Sequence, residues 1–430
     1  MKAAFYTLGC KVNQYETQLM AESLEAEGFE IVSHEQDADV YIVNSCTVTA
    51  VSNQKTRQSL RSFKRAHPDS ITVLAGCMSQ AYPEKAQALA EADIIIGNTE
   101  HKELPALIRQ KMSQTARVID VCAHQSGEVF ESGIIHTFHG KTRAEVKIED
   151  GCNRFCTYCA IPYARGRVRS KPIETVRQEI ETLAAKGYQE IVLVGINLSA
   201  YRDGENDIAD AVLTCAAVEG IARVRLGSLE PDHMTDSVIE RLQQTHKFCA
   251  QFHISLQSGC DNTLKAMNRH YTAAEYLALC QKLRNTFEDC TITTDVMVGF
   301  PGESEADFET SLAFVQEVGF EKVHVFPYSI REGTKAATMP GQLNKAEKSA
   351  RAKQMIAACD EMRSAFFKRQ IGKTYEVLFE TEKGGMQLGH TKNYIPVAVA
   401  TQEELQNRIL EVTITHTEDE LCIGEIIKTG

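Results

Sequence analysis

Strand and helix signals alternate along the first 125 or so residues of this 430-residue chain, then begin again near residue 143. This double alternation limits the fold more than any other feature. KAAFYTLG, DADVYIVNSC, ITVLAGC and ADIIIGN read as strands, with the helical patterns NQYETQLMAESLEAEG and SNQKTRQSLRSFKRAH between them. Strands separated by helices imply a parallel sheet covered by helices. The second series is RAEVKIEDGC, EIVLVGIN, RVRLGSLEP, QFHISLQSG, TITTDVMVGFPG and KVHVFPYS. Six such β/α units make a partial or closed barrel, with chemistry expected at the carboxyl ends of its strands. Residues 345–371 read as a connecting helix. The remainder (KTYEVLFE, NYIPVAVA, RILEVTITH, ELCIGEII) holds strands and turns alone, as in a small antiparallel barrel. The expected fold is therefore α/β with three units. These are an N-terminal parallel α/β domain over 1–125, a (β/α)6 partial barrel over 138–368, and a small β domain over 370–430.

Composition narrows the function classes. Apolar residues at 43% and charged residues at 24% are ordinary for a globular chain. No apolar run is long enough to span a bilayer. The N-terminus runs directly into a strand pattern, without the basic, apolar and small-residue regions of a signal peptide. A cytoplasmic protein without membrane association is expected. In that compartment the 14 cysteines are buried thiols, metal ligands or redox groups rather than a disulfide framework. The net charge of −12 excludes a molecule coated in positive charge, though not a local basic patch.

The sharpest local signal is GCNRFCTYC, which spaces Cys152, Cys156 and Cys159 as C-x3-C-x2-C just after the first strand of the middle domain. Three thiolates within eight residues can wrap one face of an iron–sulfur cube and leave one iron open. The alternative is structural zinc, which needs a fourth ligand, and no second C-x2-C or H-x3-5-H lies nearby. Cys10, Cys46 and Cys77 are 36 and 31 residues apart, yet each closes a predicted strand of the first sheet. In a parallel sheet the carboxyl ends share one edge, where ligands bind. Three strand-end thiols can therefore converge on a second cluster. The competing reading is three ordinary core cysteines.

C-x3-C-x2-C at the end of the first barrel strand resembles the signature of radical S-adenosylmethionine (SAM) enzymes. Two cysteine trios, a barrel and a small β domain together resemble the methylthiotransferases over essentially the whole chain. The markers are TLGCKVNQYET, VNSCTVT, AGCMSQ, GCNRFCTYC, IPYARGRVRS, SLQSG, DVMVGFPGE and HVFPYS. The resemblance implies two 4Fe–4S clusters and SAM as cofactors, and a C-terminal TRAM domain. It implies one SAM cleaved to a 5′-deoxyadenosyl radical and a second that methylates the sulfur to be inserted. Loop residues Tyr158, Gly195, Asn197, Gln257, Asp295 and Gly299 are implied near SAM. A reduced flavodoxin or ferredoxin is the implied electron donor.

Within the family, GCKVNQYETQ resembles the branch that acts on N6-threonylcarbamoyladenosine beside the tRNA anticodon (position 37), giving the 2-methylthio derivative. Other branches act on isopentenyladenosine or on a ribosomal protein aspartate. Outside the family, an iron–sulfur RNA-binding sensor remains an alternative. Two basic stretches suit RNA phosphates: Lys55, Arg57, Arg61, Lys64 and Arg65, and then Arg154, Arg165, Arg167, Arg169 and Lys171. A solvated charged face is the plainer meaning of such runs. The threonyl carboxylate needs a cation, and Arg165 and Arg167 are the candidates, since arginine can hold a carboxylate bidentately. Residues 370–430 carry five Lys/Arg against ten Asp/Glu, so the terminal domain is acidic.

Overall fold

The computed structural model describes residues 1–99, 101–131, 133–138 and 140–427. Its first sheet contains β1 (Lys2–Thr7), β2 (Glu30–Val32), β3 (Val40–Ser45), β4 (Ile71–Gly76), β5 (Ile94–Ile96) and β6 (Val118–Asp120). The spatial order is β2-β1-β3-β4-β5-β6, and every pairing is parallel. Strand alternation sends neighbouring residues to opposite faces. Thus Ile42, Val73 and Ile94 pack with Met20 and Leu24 of α1 (Lys11–Ala26), while Val43, Leu74 and Ile95 pack with Leu60 of α2 (Ala50–Ala66). Short helices α3 (Cys77–Ala81) and α4 (Pro83–Gln87) join the second face, and α5 (Leu104–Met112) joins the first. The chain winds outward in both directions from the β1/β3 junction. That junction is a topological switch point, where open α/β sheets place ligands beyond the carboxyl ends.

The middle section has six parallel strand positions. β7 (Arg143–Lys147) is followed by β8 (Glu149–Asp150), which pairs antiparallel with β9 (Arg169–Ser170). β10 (Glu190–Val194), β11 (Arg223–Leu226), β12 (Ser228–Leu229), β13 (Gln251–Ile254), β14 (Thr291–Val298) and β15 (Lys322–Pro327) complete the wall. β11 pairs with β10, and after Gly227 the same strand continues as β12 and pairs with β13. β7 and β15 are the two edges, so the barrel is partial. The intervening helices are α6 (Ile161–Arg165), α7 (Ile173–Ala185), α8 (Ile208–Ala217), α9 (Asp236–Leu242), α10 (Asp261–Ala266), α11 (Ala273–Thr286) and α12 (Glu305–Val318). Capping boxes start α8, α11 and α12 through Asp207/Asp210, Thr272/Glu275 and Ser304/Asp307. α13 (Lys345–Lys368) packs Met355 and Cys359 onto the barrel core, and its Phe367 enters the terminal core.

The C-terminal strands β16 (Thr374–Lys383), β17 (Met386–Thr391), β18 (Pro396–Ala400), β19 (Ile409–Glu418) and β20 (Leu421–Ile426) close into a five-stranded barrel. The purely antiparallel expectation is corrected at one seam. β18 and β20 run parallel, because β19 crosses over before β20 closes the barrel. This barrel sits against the amino ends of the central strands. Arg223 donates to the His390 carbonyl (3.0 Å) and the Glu376 carbonyl (2.8 Å), Arg225 donates to the Lys392 carbonyl (3.0 Å), and Thr291 Oγ1 donates to the Asn393 carbonyl (2.6 Å). All 14 cysteines are free thiols. No helix among the described residues is long and apolar enough to cross a membrane.

Candidate active site

The three N-terminal cysteines lie at the carboxyl ends of three adjacent strands. Cys10 caps α1 just beyond β1, Cys46 follows β3, and Cys77 opens α3 directly after β4. Asn13 pins this edge: its amide donates to Asn44 Oδ1 (3.1 Å) and the Ser45 carbonyl (3.2 Å), and its Oδ1 accepts from Cys10 Sγ (3.3 Å). Gly9, at φ +120°, allows the close approach. A side chain there would stand 2.7 Å from Asn13 Oδ1 and 3.1 Å from Cys46 Cβ, and its backbone angle suits glycine alone. Cys46 and Cys77 are buried, which raises both thiol pKa values, while Arg165 opposes the rise. Cys46 Sγ accepts from Val48 N–H (3.5 Å) and Cys77 Sγ from Arg165 Nε (3.2 Å).

The second trio sits on the loop after β8. Gly151 there has φ +87°, and a Cβ would collide with the Arg167 carbonyl. Each thiol accepts one N–H: Cys152 from the Arg154 amide (3.5 Å), Cys156 from Arg269 Nη1 (3.4 Å) and Cys159 from the Ile161 amide (3.4 Å). Arg269 is held in turn by Glu230. Burial pushes Cys152 and Cys159 up to about 12, so a metal that binds there must displace their protons. Among the described residues no three Cys, His, Asp or Glu close tightly enough around one point to hold a single ion. Within each trio the thiols lie close enough to feel one another's charge, and three sulfur donors are the ligand set of an iron–sulfur cube with one iron open.

A buried ionic network runs from Cys77 of the first trio to Asp150, two residues before Cys152 of the second. Glu16 of α1 takes both terminal nitrogens of Arg165 and also binds Lys147 Nζ (2.8 Å). Lys147 binds Asp150 (2.7 Å), and Asp150 also meets Arg169 (3.3 Å). Arg165 is completely buried, and its donors go to Glu16 and Cys77, with Asp150 at 3.5 Å. Its expected place on a substrate carboxylate therefore has no open face. Arg167 is exposed and lies over the Phe155 ring at 4.6 Å.

Beside Cys159 lies a cavity of about 220 Å³, lined by Val48 and Thr49 from the loop after β3 and by Tyr158, Gln257, Asp295 and Arg331 among others. Tyr158, Gln257 and Asp295 are thus brought together. Gln257 holds φ +65° and exchanges backbone bonds with Asp295 and Met297. Gly195, Asn197 and Gly299 do not line this cavity. Gly195 packs on Glu149, the Asn197 N–H bonds the Glu149 carboxyl (2.7 Å), and Gly299 makes a turn against Lys348. Sequence reading overlooked Arg331, Arg269 and Glu16. Arg331 lies two residues beyond HVFPYS, at the end of the last barrel strand, where the carboxyl-end rule would have found it.

Comparisons with known proteins agree with this architecture. Residues 2–97 match the family described as "Uncharacterized protein family UPF0004", and residues 146–315 match the "Radical SAM superfamily". The chain is 36% identical to the threonylcarbamoyladenosine tRNA methylthiotransferase MtaB of Bacillus subtilis, over 96% of this chain and 93% of that one. It is 37% identical to the MtaB of Thermotoga maritima, over 87% and 85%. It is 35% identical to the tRNA-2-methylthio-N(6)-dimethylallyladenosine synthase of Moorella thermoacetica, over 98% and 97%. Among solved structures, the radical SAM methyltransferase TsrM of Kitasatospora setae shares the fold, with a TM-score of 0.58 at 13% identity over 78% of this chain and 74% of that one. The chain belongs to the methylthiotransferase family of radical SAM enzymes.

Proposed function

We propose that this enzyme places a methylthio group on C2 of N6-threonylcarbamoyladenosine 37 in tRNA. The observation that carries the reading is a single cavity lined by a cysteine of the second trio and by the segment that follows a cysteine of the first. Cys159 and the Val48–Thr49 segment just after Cys46 line it together. Cys152, Cys156 and Cys159 are assigned to a SAM-cleaving 4Fe–4S cluster, and Cys10, Cys46 and Cys77 to an auxiliary one. When bound, SAM and the first cluster supply one-electron chemistry, and the auxiliary cluster holds the sulfur.

The chain's own residues orient and enclose. Tyr158, Gln257 and Asp295 are assigned to SAM, while Gly195, Asn197 and Gly299 support the loops around it. Arg269, Arg154 and Ile161 direct N–H groups at the barrel thiols, which favours their metal-bound, deprotonated form. The Glu16–Arg165–Lys147–Asp150 network ties the N-terminal cysteine edge to the strand before the cluster loop, and burial keeps water from it. Arg167 is assigned to RNA at the mouth of the site rather than to the carboxylate. We assign the three units to residues 1–125, 138–368 and 370–430, and a flavodoxin or ferredoxin-type protein as the electron source.

The threonylcarbamoyl substrate is supported by the MtaB relatives and by GCKVNQYETQ. Nucleoside analysis of tRNA from deletion and complemented cells tests it. The 2-methylthio-threonylcarbamoyl nucleoside should vanish and return. If that nucleoside is unchanged and the isopentenyl counterpart is lost, the substrate assignment fails.

A further inference from the structure

Among the described residues five arginines are buried, and four of them face carboxylates. Arg165 pairs with Glu16, Arg169 with Asp150, and Arg223 and Arg225 with Glu190. Arg331 is buried at 6% exposure without such a partner among the described residues. Its Nε meets no acceptor, and its one hydrogen bond is a long one from Nη2 to Ser329 Oγ (3.4 Å). Burial lowers its pKa, and Tyr82, Cys46 and Tyr328 oppose the shift only in part. Nearby acids are engaged elsewhere: Glu332 pairs with Lys85, and Asp295 with His253 at 3.3 Å. A guanidinium remains protonated even so. A buried charge without a counter-ion is unfavourable until an anion reaches it.

The loop that carries this cation is fixed. Thr334 donates through its N–H (3.2 Å) and hydroxyl (2.7 Å) to the Arg331 carbonyl, and Tyr82 of the N-terminal domain donates to the Glu332 carbonyl (3.0 Å). The loop is thus tied to both sides of the cavity. Its lining combines one unpaired cation, and Asp295 in contact with His253, with apolar and aromatic walls from Val48, Ile161, Met297, Phe326 and Tyr328. That combination suits a ligand with a flat apolar portion and a single carboxylate, which a planar fork can hold by two parallel hydrogen bonds.

We propose that Arg331 is the specificity-determining residue for a carboxylate carried into the cavity. Building on the proposed function, two ligands bring that chemistry: the threonyl group of the modified adenosine and the methionyl group of SAM. Binding by the anaerobically reconstituted full chain separates them. The probes are SAM, an anticodon stem-loop bearing threonylcarbamoyladenosine, and the same stem-loop with its carboxylate converted to a neutral carboxamide. Wild-type protein, Arg331→Lys and Arg331→Gln are compared, with iron content and melting temperature as checks on folding. Arg331→Gln should weaken one carboxylate ligand by about tenfold or more. Arg331→Lys, which keeps the charge but not the fork, should lose less.

Loss of the acid-over-amide preference assigns the site to the substrate, and a selective loss of SAM affinity assigns it to SAM. Unchanged SAM affinity and an unchanged acid-over-amide preference in folded Arg331→Gln would overturn the proposal. Should that variant not fold, the same two results in Arg331→Lys decide. If wild-type protein does not distinguish the modified stem-loop from an unmodified one, included as a fourth probe, the substrate reading fails, while the SAM arm still tests Arg331.

Discussion

Arg165 and Arg331 are both buried near sulfur, yet their surroundings give them opposite roles. Arg165 meets Glu16, Asp150 and Cys77, so it ties the N-terminal cysteine edge to the strand before the cluster loop and has no open face for a ligand. Removing one partner of a fully buried pair leaves an uncompensated charge, which costs about 3–5 kcal/mol. Glu16→Gln and Arg165→Ala should therefore each lower the denaturation midpoint markedly, and the double variant should lose less than the sum. Additive losses would mean the two side chains act independently. Glu131 offers a separate test by titration. Its contact with buried His101 (2.7 Å) holds its carboxyl at about 2 and raises the histidine. A depressed carboxyl contributes stability above its unfolded value near 4.5 and loses it as pH falls toward 2. The raised histidine contributes below about 6.5 and loses it as pH climbs through its folded value. The stability gap between wild type and Glu131→Gln should consequently be widest near pH 5–6 and narrow in acid. A gap that is constant from pH 7 to 3 would contradict the pairing.

At the scale of elements, α1 is the joint of the molecule. Its first residues cap the N-terminal cysteine edge through Cys10 and Asn13. Val12 packs on Val192 and Val194 of β10, Glu16 enters the ionic network, and Tyr15 donates to Glu179 Oε1 (2.8 Å) of α7. The stretch GCKVNQYETQ, which points to a substrate branch by resemblance, thus serves as scaffold and inter-domain contact. Tyr15→Phe would remove the donor to Glu179 and leave Lys171 as a charged partner. A loss of about 1–3 kcal/mol is expected, with faster proteolysis within residues 121–142. Unchanged cleavage would show that α1 does not carry the coupling. Legibility follows from the same contacts. Strands β3, β4 and β5 announce themselves because burial on both faces demands unbroken Val/Ile runs, whereas Glu30–Val32 and Met386–Thr391 are short or mixed in polarity and passed unseen. RVRLGSLEP reads as one strand, and only the structure reveals the change of partner at Gly227. Cysteine positions could be inferred from strand ends, but an arginine's lack of a counter-ion depends on every residue around it and has no local signature.

Across the whole molecule, the cysteine trios occupy the carboxyl ends of two sheets, while the small terminal barrel is fastened to the amino ends of the central strands. RNA drawn to the cavity therefore meets the N-terminal domain and the cluster loop there. On α2, Arg61 pairs with Glu91 and Lys64 with Asp93, whereas Lys55 and Arg65 are exposed and unpaired in any salt bridge among the described residues. Replacing Lys55 and Arg65 by glutamate should weaken tRNA binding and flatten the plot of log affinity against log salt by about 0.7–0.9 per lost phosphate contact. An unchanged slope would leave α2 as a solvated face. The central claim is that two separate thiolate trios each hold a cluster. It is tested most directly by iron and acid-labile sulfide analysis after anaerobic reconstitution of wild-type protein and of the two triple cysteine-to-alanine variants. The account predicts two cubes' worth in wild type and loss of one cube in each triple variant. Full iron content in the Cys10/Cys46/Cys77 variant, or a single cube in wild type, would contradict it.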